Sequence, residues 1–180
     1  MSDESKEKSL TAEEKSGEVV AFPLPDDSHV LTFDLERANL RGRIIRLGGT
    51  LDQIIGAHDY PPAIGKLVAE TVTLSVLLSS MLKYEGIFIL QAQGDAAVTR
   101  LVSDVTSSGE VRATAGYDAE KLEKLLAETP DPDIRSLLGK GYIAFTVDQG
   151  EYMERYQGIV ELKGHSLRDS IHHYLSQSEQ

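Results

Sequence analysis

The chain has no cysteine and no tryptophan. Without a thiol it can form no disulfide, no thiolate nucleophile and no thiolate metal site. Basic charge is scarce: 18 Lys plus Arg face 29 Asp plus Glu, a formal net charge of −11. Such a surface repels phosphate backbones and anionic headgroups, which argues against nucleic acid and membrane as partners. A long apolar run is also missing. The most apolar helical stretch, residues 71–82, lies between Glu70 and Lys83 and falls short of the roughly 20 residues that span a bilayer. The first ten residues, MSDESKEKSL, carry no apolar core behind a basic region and do not read as a secretory signal. A soluble cytoplasmic protein is the reading these absences leave.

What remains is ordinary for a folded domain: 180 residues, 41% hydrophobic and 26% charged. Residues 1–27 differ from the rest, with eight acids against three lysines and with Pro23 and Pro25 near their end. They are expected to form a flexible acidic tail, because they bury too little apolar area to offset the entropy of ordering. Residues 28–180 form the expected domain.

Strands are predicted at 30–33 and 40–47, the second ended by Gly48-Gly49. Thr50 is placed as the N-cap of a short helix, with Gln53 in the capping-box position. Pro61-Pro62 opens the longest helix, run to about residue 82 and expected to be largely buried, Met81 included. Residues 87–90 read as a strand covered on both faces. Strands at 97–105 and 111–115 flank a turn at Ser107-Ser108-Gly109. Helices follow at 119–128 and 131–138, then a hairpin of 142–147 with 152–162 around Asp148-Gln149-Gly150. A last helix begins at Ser166, with Asp169 in the capping-box position. Strands and helices do not alternate as βαβ units do, so the fold class is α+β, with mixed or antiparallel sheets packed around a long buried helix.

No catalytic motif stands out: G-x-S-x-G, the phosphate-binding loop and G-x-G-x-x-G are all missing. Gly139-Lys140-Gly141 precedes a strand and reads as a helix C-cap and turn. His58-Asp59 admits two readings, a general-base pair or a cap ahead of the Pro-Pro helix; adjacent residues rarely face each other, which favours the cap. His172 and His173 point about 100° apart on a helix, which does not suit a shared metal; His165 lies upstream. Glu70 and Asp95 have no visible partner and read as a helix-surface charge and a turn residue. In Arg155-Tyr156-Gln157-Gly158 a glycine interrupts a strand, marking a bulge or a close backbone approach. The residues alone specify a soluble α+β domain without an assigned function.

Several phrases taken together go further. Arg41-Gly42, Thr50-Leu51, His58-Asp59-Tyr60-Pro61, Ala69-Glu70, Leu82-Lys83, Gln93-Gly94-Asp95, Gly141-Tyr142, Arg155-Tyr156-Gln157-Gly158 and Ser178-Glu179-Gln180 follow one another in a fixed order and spacing. Over about residues 38–180 the chain resembles the N-terminal domain of a redox-regulated heat-shock chaperone family, the thirty-three-kilodalton chaperonins of bacteria. The resemblance implies a cytoplasmic, ATP-independent holdase that binds unfolded polypeptides and is dimeric when active. In that family a C-terminal module holds zinc through four cysteines until oxidants form disulfides and release the metal.

The chain departs from the family pattern in three places. It has no cysteine, so zinc is implied only for a module it lacks, and no cofactor is expected here. It stops at Gln180, where the family continues with further strands, so a truncated domain with an open sheet edge is expected. Ala96-Ala97 and Ala113 replace residues of the family's Gly-Asp-Gly-Pro and Arg-Gly-x-Ala phrases. The expected function is therefore a non-enzymatic, polypeptide-binding holdase domain whose client-binding residues are not specified. A small-molecule enzyme using His58 and Asp59, or an inert interaction domain, are the alternatives. The family-phrase residues His58, Asp59, Tyr60, Pro61, Glu70, Lys83, Gln93, Gly94, Asp95, Arg155, Tyr156, Gln157 and Gly158 are expected to be structural.

Overall fold

The computed structural model describes residues 28–150 and 156–178. The acidic segment 1–27 and Arg155 lie outside them. The element order is β1 (Ser28–Leu35), a 3-10 turn (Glu36–Ala38), β2 (Leu40–Leu47), α1 (Gly49–Gly56), α2 (Pro62–Met81), β3 (Ile87–Gly94), β4 (Val98–Thr106), β5 (Val111–Tyr117), α3 (Ala119–Glu128), α4 (Ile134–Leu138), β6 (Gly141–Asp148), β7 (Tyr156–Glu161) and α5 (Leu167–Ser178). Two antiparallel sheets result: a β1-β2 ribbon and a five-stranded sheet in the order β5-β4-β3-β6-β7. The expected α+β class, with antiparallel sheets around a long buried helix, is what the chain adopts.

That helix is α2. It packs on β3, β4 and β5 and also meets β2, α1 and α5, so Ile64, Leu67, Val68, Val72, Leu74 and Val76 are all buried. Neighbours on so many sides explain why its apolar residues are not confined to one stripe. Its buried hydroxyls are satisfied within the helix: Thr71 Oγ1 donates to the Leu67 carbonyl (2.7 Å), Ser75 Oγ to Thr71 (2.8 Å) and Ser79 Oγ to Val76 (3.1 Å). With 20 residues α2 is long enough to cross a membrane, contrary to the expectation drawn from residues 71–82, and 56% of its most apolar window is buried inside the protein. Its apolar character is that of a core helix.

Four local expectations need correction. Gly48, not Thr50, is the N-cap of α1, because the Thr50 N–H is taken by Ser28 Oγ of β1 at 3.3 Å. Asp59 does not cap α2; Pro61 is the N-cap, without a side-chain bond, and its carbonyl accepts the N–H groups of Ile64 and Gly65. Met81 is 53% exposed, since the backbone turns extended at Leu82 and carries the helix end away from the sheet. Strand β3 is not covered equally on both faces: Phe88, Leu90 and Ala92 are buried while Ile87, Ile89 and Gln91 between them are only partly so.

Elsewhere the pattern reads through. Asp118 caps α3 by accepting from the N–H groups of Glu120 and Lys121. Gly139 ends α4 at φ 70°, where a side chain would collide with Asp95 and Ala96. The capping box of α5 forms in a shifted version: Ser166 Oγ accepts from the Asp169 N–H (3.1 Å), and Asp169 Oδ2 reaches back to the N–H of His165 (3.1 Å). The hairpin of β6 and β7 is present, paired from Tyr142↔Glu161 to Val147↔Tyr156; residues 152–155 of its expected second strand lie outside the described residues.

Candidate functional site

An exposed apolar face is built by register. In the ribbon Leu31 stands opposite Ile44, Phe33 opposite Gly42 and Leu35 opposite Leu40. Directly opposed residues share a face, and the period of two keeps the face along each strand. Ile45 and Leu47 are on the other face and pack against the core. The outer face therefore carries Leu31, Phe33, Leu35, Leu40 and Ile44 together, each 40–55% exposed. The Phe33 ring lies over Gly42, where a Cβ would strike it. Asn39, at φ 47°, turns the chain between the strands, and Arg41 Nε bonds Asp34 Oδ2 at 3.1 Å. Single exposed apolar residues are ordinary; five on one face of two paired strands form a patch of the kind that marks an interaction surface. Among the described residues no further strand pairs with either outer edge of this ribbon.

A cleft of about 780 Å³ opens at the ribbon's base, between the start of β1, the end of α2 and the β4–β5 turn. Val30, Leu47, Val76, Leu82 and Val105 give it apolar walls, and the exposed Lys83 stands among its lining residues. Tyr84 lines it too, donating its hydroxyl to the Val105 carbonyl at 3.0 Å; burial raises its phenol above the usual value.

A second cleft of about 680 Å³ lies between α2, α4 and the start of α5, with Lys66, Glu70, Asp133 and His165 in its wall. His165 Nδ1 bonds Asp133 Oδ2 at 2.9 Å. Asp133 also caps α4 through the Ser136 N–H (2.9 Å). The His165 and Ser136 hydrogen bonds hold its carboxyl down at about 2. Lys66 Nζ pairs with Asp131 at 3.0 Å. The His–Asp contact that folding brings together is thus this one. His58 and Asp59 are both exposed in a turn and line neither cleft; His58 stacks on Tyr60 at 4.8 Å.

The other family-phrase residues tie elements together. Tyr60 Oη accepts the Ala115 N–H at 3.0 Å and so occupies a donor on the edge strand β5. Pro61 caps α2. Glu70, expected without a partner, accepts the Arg168 N–H in the first turn of α5 at 3.2 Å, where a negative charge complements the helix dipole. Asp95 likewise has a partner, the Lys140 N–H at 2.7 Å, and the Leu138 carbonyl accepts the N–H of Asp95 at 2.8 Å. Gly94 lets that carbonyl approach, since a side chain there would collide with it. Gln93 accepts from the Tyr142 hydroxyl at 2.8 Å. Gln157 donates to Thr146 Oγ1 at 3.3 Å, and burial, followed by the hydrogen bond with Tyr156, raises the phenol of Tyr174. Gly158 is the close approach anticipated from its strand position, with the Phe145 ring against its backbone. His172 and His173 are exposed.

Sequence reasoning placed both ribbon strands but missed the outer face as a surface. The signal was present as apolar residues at 31, 33, 35 and 40, 44, yet only the pairing register puts them on one side. A zinc site of the family type does not fit these residues: the chain has no thiol, and among the described residues no three His, Asp or Glu side chains gather around a common point.

Fold and surface together define a class: an α+β domain whose core helix packs against antiparallel sheets and whose two-stranded ribbon carries an exposed apolar face. The chain belongs to the Hsp33 family, whose model, described as "Hsp33 protein", matches residues 28–180. It is 38% identical over 154 residues to a 33 kDa chaperonin of Caulobacter vibrioides, covering 86% of this chain and 51% of that protein. It is 35% identical over 157 residues to the 33 kDa chaperonin of Pseudomonas savastanoi pv. phaseolicola, covering 87% and 50%. The crystal structure of a 33 kDa chaperonin from Thermotoga maritima has the same fold, with a TM-score of 0.72 at 18% identity over 86% of this chain and 52% of that one. The chain spans about half the length of the curated relatives it matches. The family match begins about ten residues earlier than the resemblance over about residues 38–180, and so takes in β1.

Proposed function

We propose that this chain is a holdase domain that binds unfolding polypeptides without nucleotide, through the outer face of the β1-β2 ribbon. The observation that carries the reading is the row Leu31, Phe33, Leu35, Leu40 and Ile44, exposed together in a member of a chaperone family. A holdase needs only preferential affinity for unfolded chains, which lowers the concentration of the aggregating species by mass action and calls for no catalytic group. The acidic surface keeps such a patch soluble by charge repulsion. In this reading the domain is not an enzyme, binds no cofactor and works in the cytoplasm. It pairs as a homodimer through the outer edges of the ribbon, with which no further strand pairs among the described residues.

The test is light scattering of a thermally unfolding client with excess domain, in reducing buffer without ATP. Scattering should fall with the parent chain and return with Leu31→Ser/Ile44→Ser, whose exposed positions leave folding intact by circular dichroism. If both suppress scattering equally, the ribbon face is not the binding surface. If neither does while folded, the holdase reading fails for this chain alone.

A further inference from the structure

The ribbon that carries the exposed apolar face also departs in charge from the rest of the chain. Residues 28–47 hold four arginines, Arg37, Arg41, Arg43 and Arg46, against Asp34 and Glu36, a balance of +2 with histidine neutral. The remaining residues carry −13. Arg41 is committed to Asp34 at 3.1 Å, which leaves three arginines of the ribbon against Glu36. Their placement follows the strands. Arg46 stands opposite His29, two residues from Ile44 and therefore on the outer face at its base, and it is exposed. Arg37 is exposed in the 3-10 turn at the far tip, where Glu36 offsets part of its charge, so the base is the stronger pole. Arg43 lies opposite Thr32 on the inner face, and its Nε is buried without a hydrogen-bond partner. The row of Leu31, Phe33, Leu35, Leu40 and Ile44 thus has a cation at each end.

We propose that the polypeptide segments this face takes are extended apolar stretches flanked by carboxylates, an inference that rests on the ribbon reading above. Apolar contact supplies the attraction common to all clients, and charge decides among them. A body of −13 repels an acidic segment, and the ribbon is where that repulsion reverses, so the field of the whole molecule steers such a segment to the apolar row. Complementary charge of this kind raises the association rate and the selectivity more than the affinity itself. A segment of equal apolar content flanked by lysines meets like charge at both poles of the ribbon and is drawn to the acidic body instead. The strands also set a spacing. From Arg46 to Leu40 β2 advances six residues, about 20 Å at roughly 3.4 Å per residue, and Arg37 lies just beyond in the turn. Two carboxylates with about six to eight extended residues between them therefore reach both poles while alternate side chains of the stretch lie on the apolar row.

Three dansyl-labelled peptides test it, sharing one alternating core of Leu, Phe and Ser, about seven residues long, and flanked at both ends by Glu, Gln or Lys. Fluorescence anisotropy with the full chain at low ionic strength should rank them Glu, Gln, Lys from tightest to weakest, with roughly threefold or more in Kd between successive peptides. The gaps should close at high salt, where exposed charges are screened, and the order should invert in Arg37→Glu/Arg46→Glu, whose positions are exposed and whose fold circular dichroism checks. Equal affinities at low salt overturn the proposal. So does an order that survives the double charge reversal, which would place the discrimination elsewhere on the molecule. Release of the Glu peptide by phosphatidylglycerol vesicles that sediment with the chain would assign the arginines to a lipid surface and overturn it as well. Leu31→Ser/Ile44→Ser separates this inference from the reading beneath it. If that variant keeps the Glu peptide, the ribbon face is not the binding surface and both fall; if it loses all three peptides while the parent does not rank them, the ribbon reading stands and only the selectivity falls.

Discussion

At the scale of single residues, two glycines face the same demand with different freedom. A methyl group on Gly158 or on Gly42 would meet an aromatic ring, of Phe145 and Phe33 respectively. Phe145 is held edge-on by Tyr174 at 5.1 Å and packs against the core, whereas Phe33 is exposed on the ribbon. Gly158→Ala should therefore cost about 1–3 kcal/mol, as overpacking does, while Gly42→Ala should cost about 1 kcal/mol or less because the exposed ring can turn aside. Urea unfolding of both variants checks the order; equal losses would mean that Phe145 is as free to move as Phe33. Asp133 makes a prediction of a different kind. Its folded-state carboxyl titrates at about 2 instead of 3.8, chiefly through the His165 and Ser136 hydrogen bonds. A depressed carboxyl stabilises the fold above its unfolded value and loses that contribution as pH falls through the folded one. The parent should thus be more stable than Asp133→Asn at pH 6, and the gap should close between roughly pH 4 and pH 2. A gap that does not change with pH would assign the effect to capping geometry alone.

At the scale of elements, α2 separates polar residues that matter from polar residues that are only tolerated. Ser75 is fully buried, but its hydroxyl serves a carbonyl of its own helix. Ser75→Ala should leave stability within about 0.5 kcal/mol of the parent, since alanine is the better helix former and no other group loses its partner. Ile64→Ala, at a site with no exposure, should cost about 2–5 kcal/mol. Thermal unfolding of the pair measures both; a large loss at Ser75 would require a partner outside the helix. The helix end matters for oxidation. Met81 is exposed beside Leu82, so in a chain without thiols peroxide has an accessible thioether there. Any peroxide effect on client binding should disappear in Met81→Leu, and an effect that persists would have to arise at another methionine.

At the scale of the whole molecule, the ribbon and its edges set the association behaviour. A two-stranded sheet whose outer edges pair with no further strand among the described residues is marginal by itself and is a template for pairing. In the homodimer reading, light scattering at rising concentration should reveal a dimer, and Pro in place of Thr32 in β1 should weaken it by removing a backbone donor and rigidifying the strand. A monomer at every concentration would exclude edge pairing. Salt acts on the same equilibrium. With a net charge of −11, like-charge repulsion between copies is screened as ionic strength rises, so association should strengthen with salt.

The sequence by itself determined the element types and most of their limits, because these rest on local chemistry. Pro61-Pro62 starts α2, Asp118 caps α3, Gly139 ends α4 and Gly48-Gly49 ends β2, each within reach of a few neighbours along the chain. It also determined what chemistry is absent, since a chain without cysteine cannot form a thiolate site in any fold. Only the tertiary structure decided the rest. Which face of the ribbon meets the core depends on pairing register and on where α2 lies; Ile45 and Leu47 turn inward, and Leu31, Phe33 and Ile44 consequently turn outward. The partners of Glu70, Asp95 and His165 come from 98, 45 and 32 residues away in sequence. No local pattern encodes such meetings, because they follow from the packing of whole elements against one another. The same holds for Thr50 and Met81, where a strand's hydroxyl and a helix's exit direction overrode what the local residues favoured.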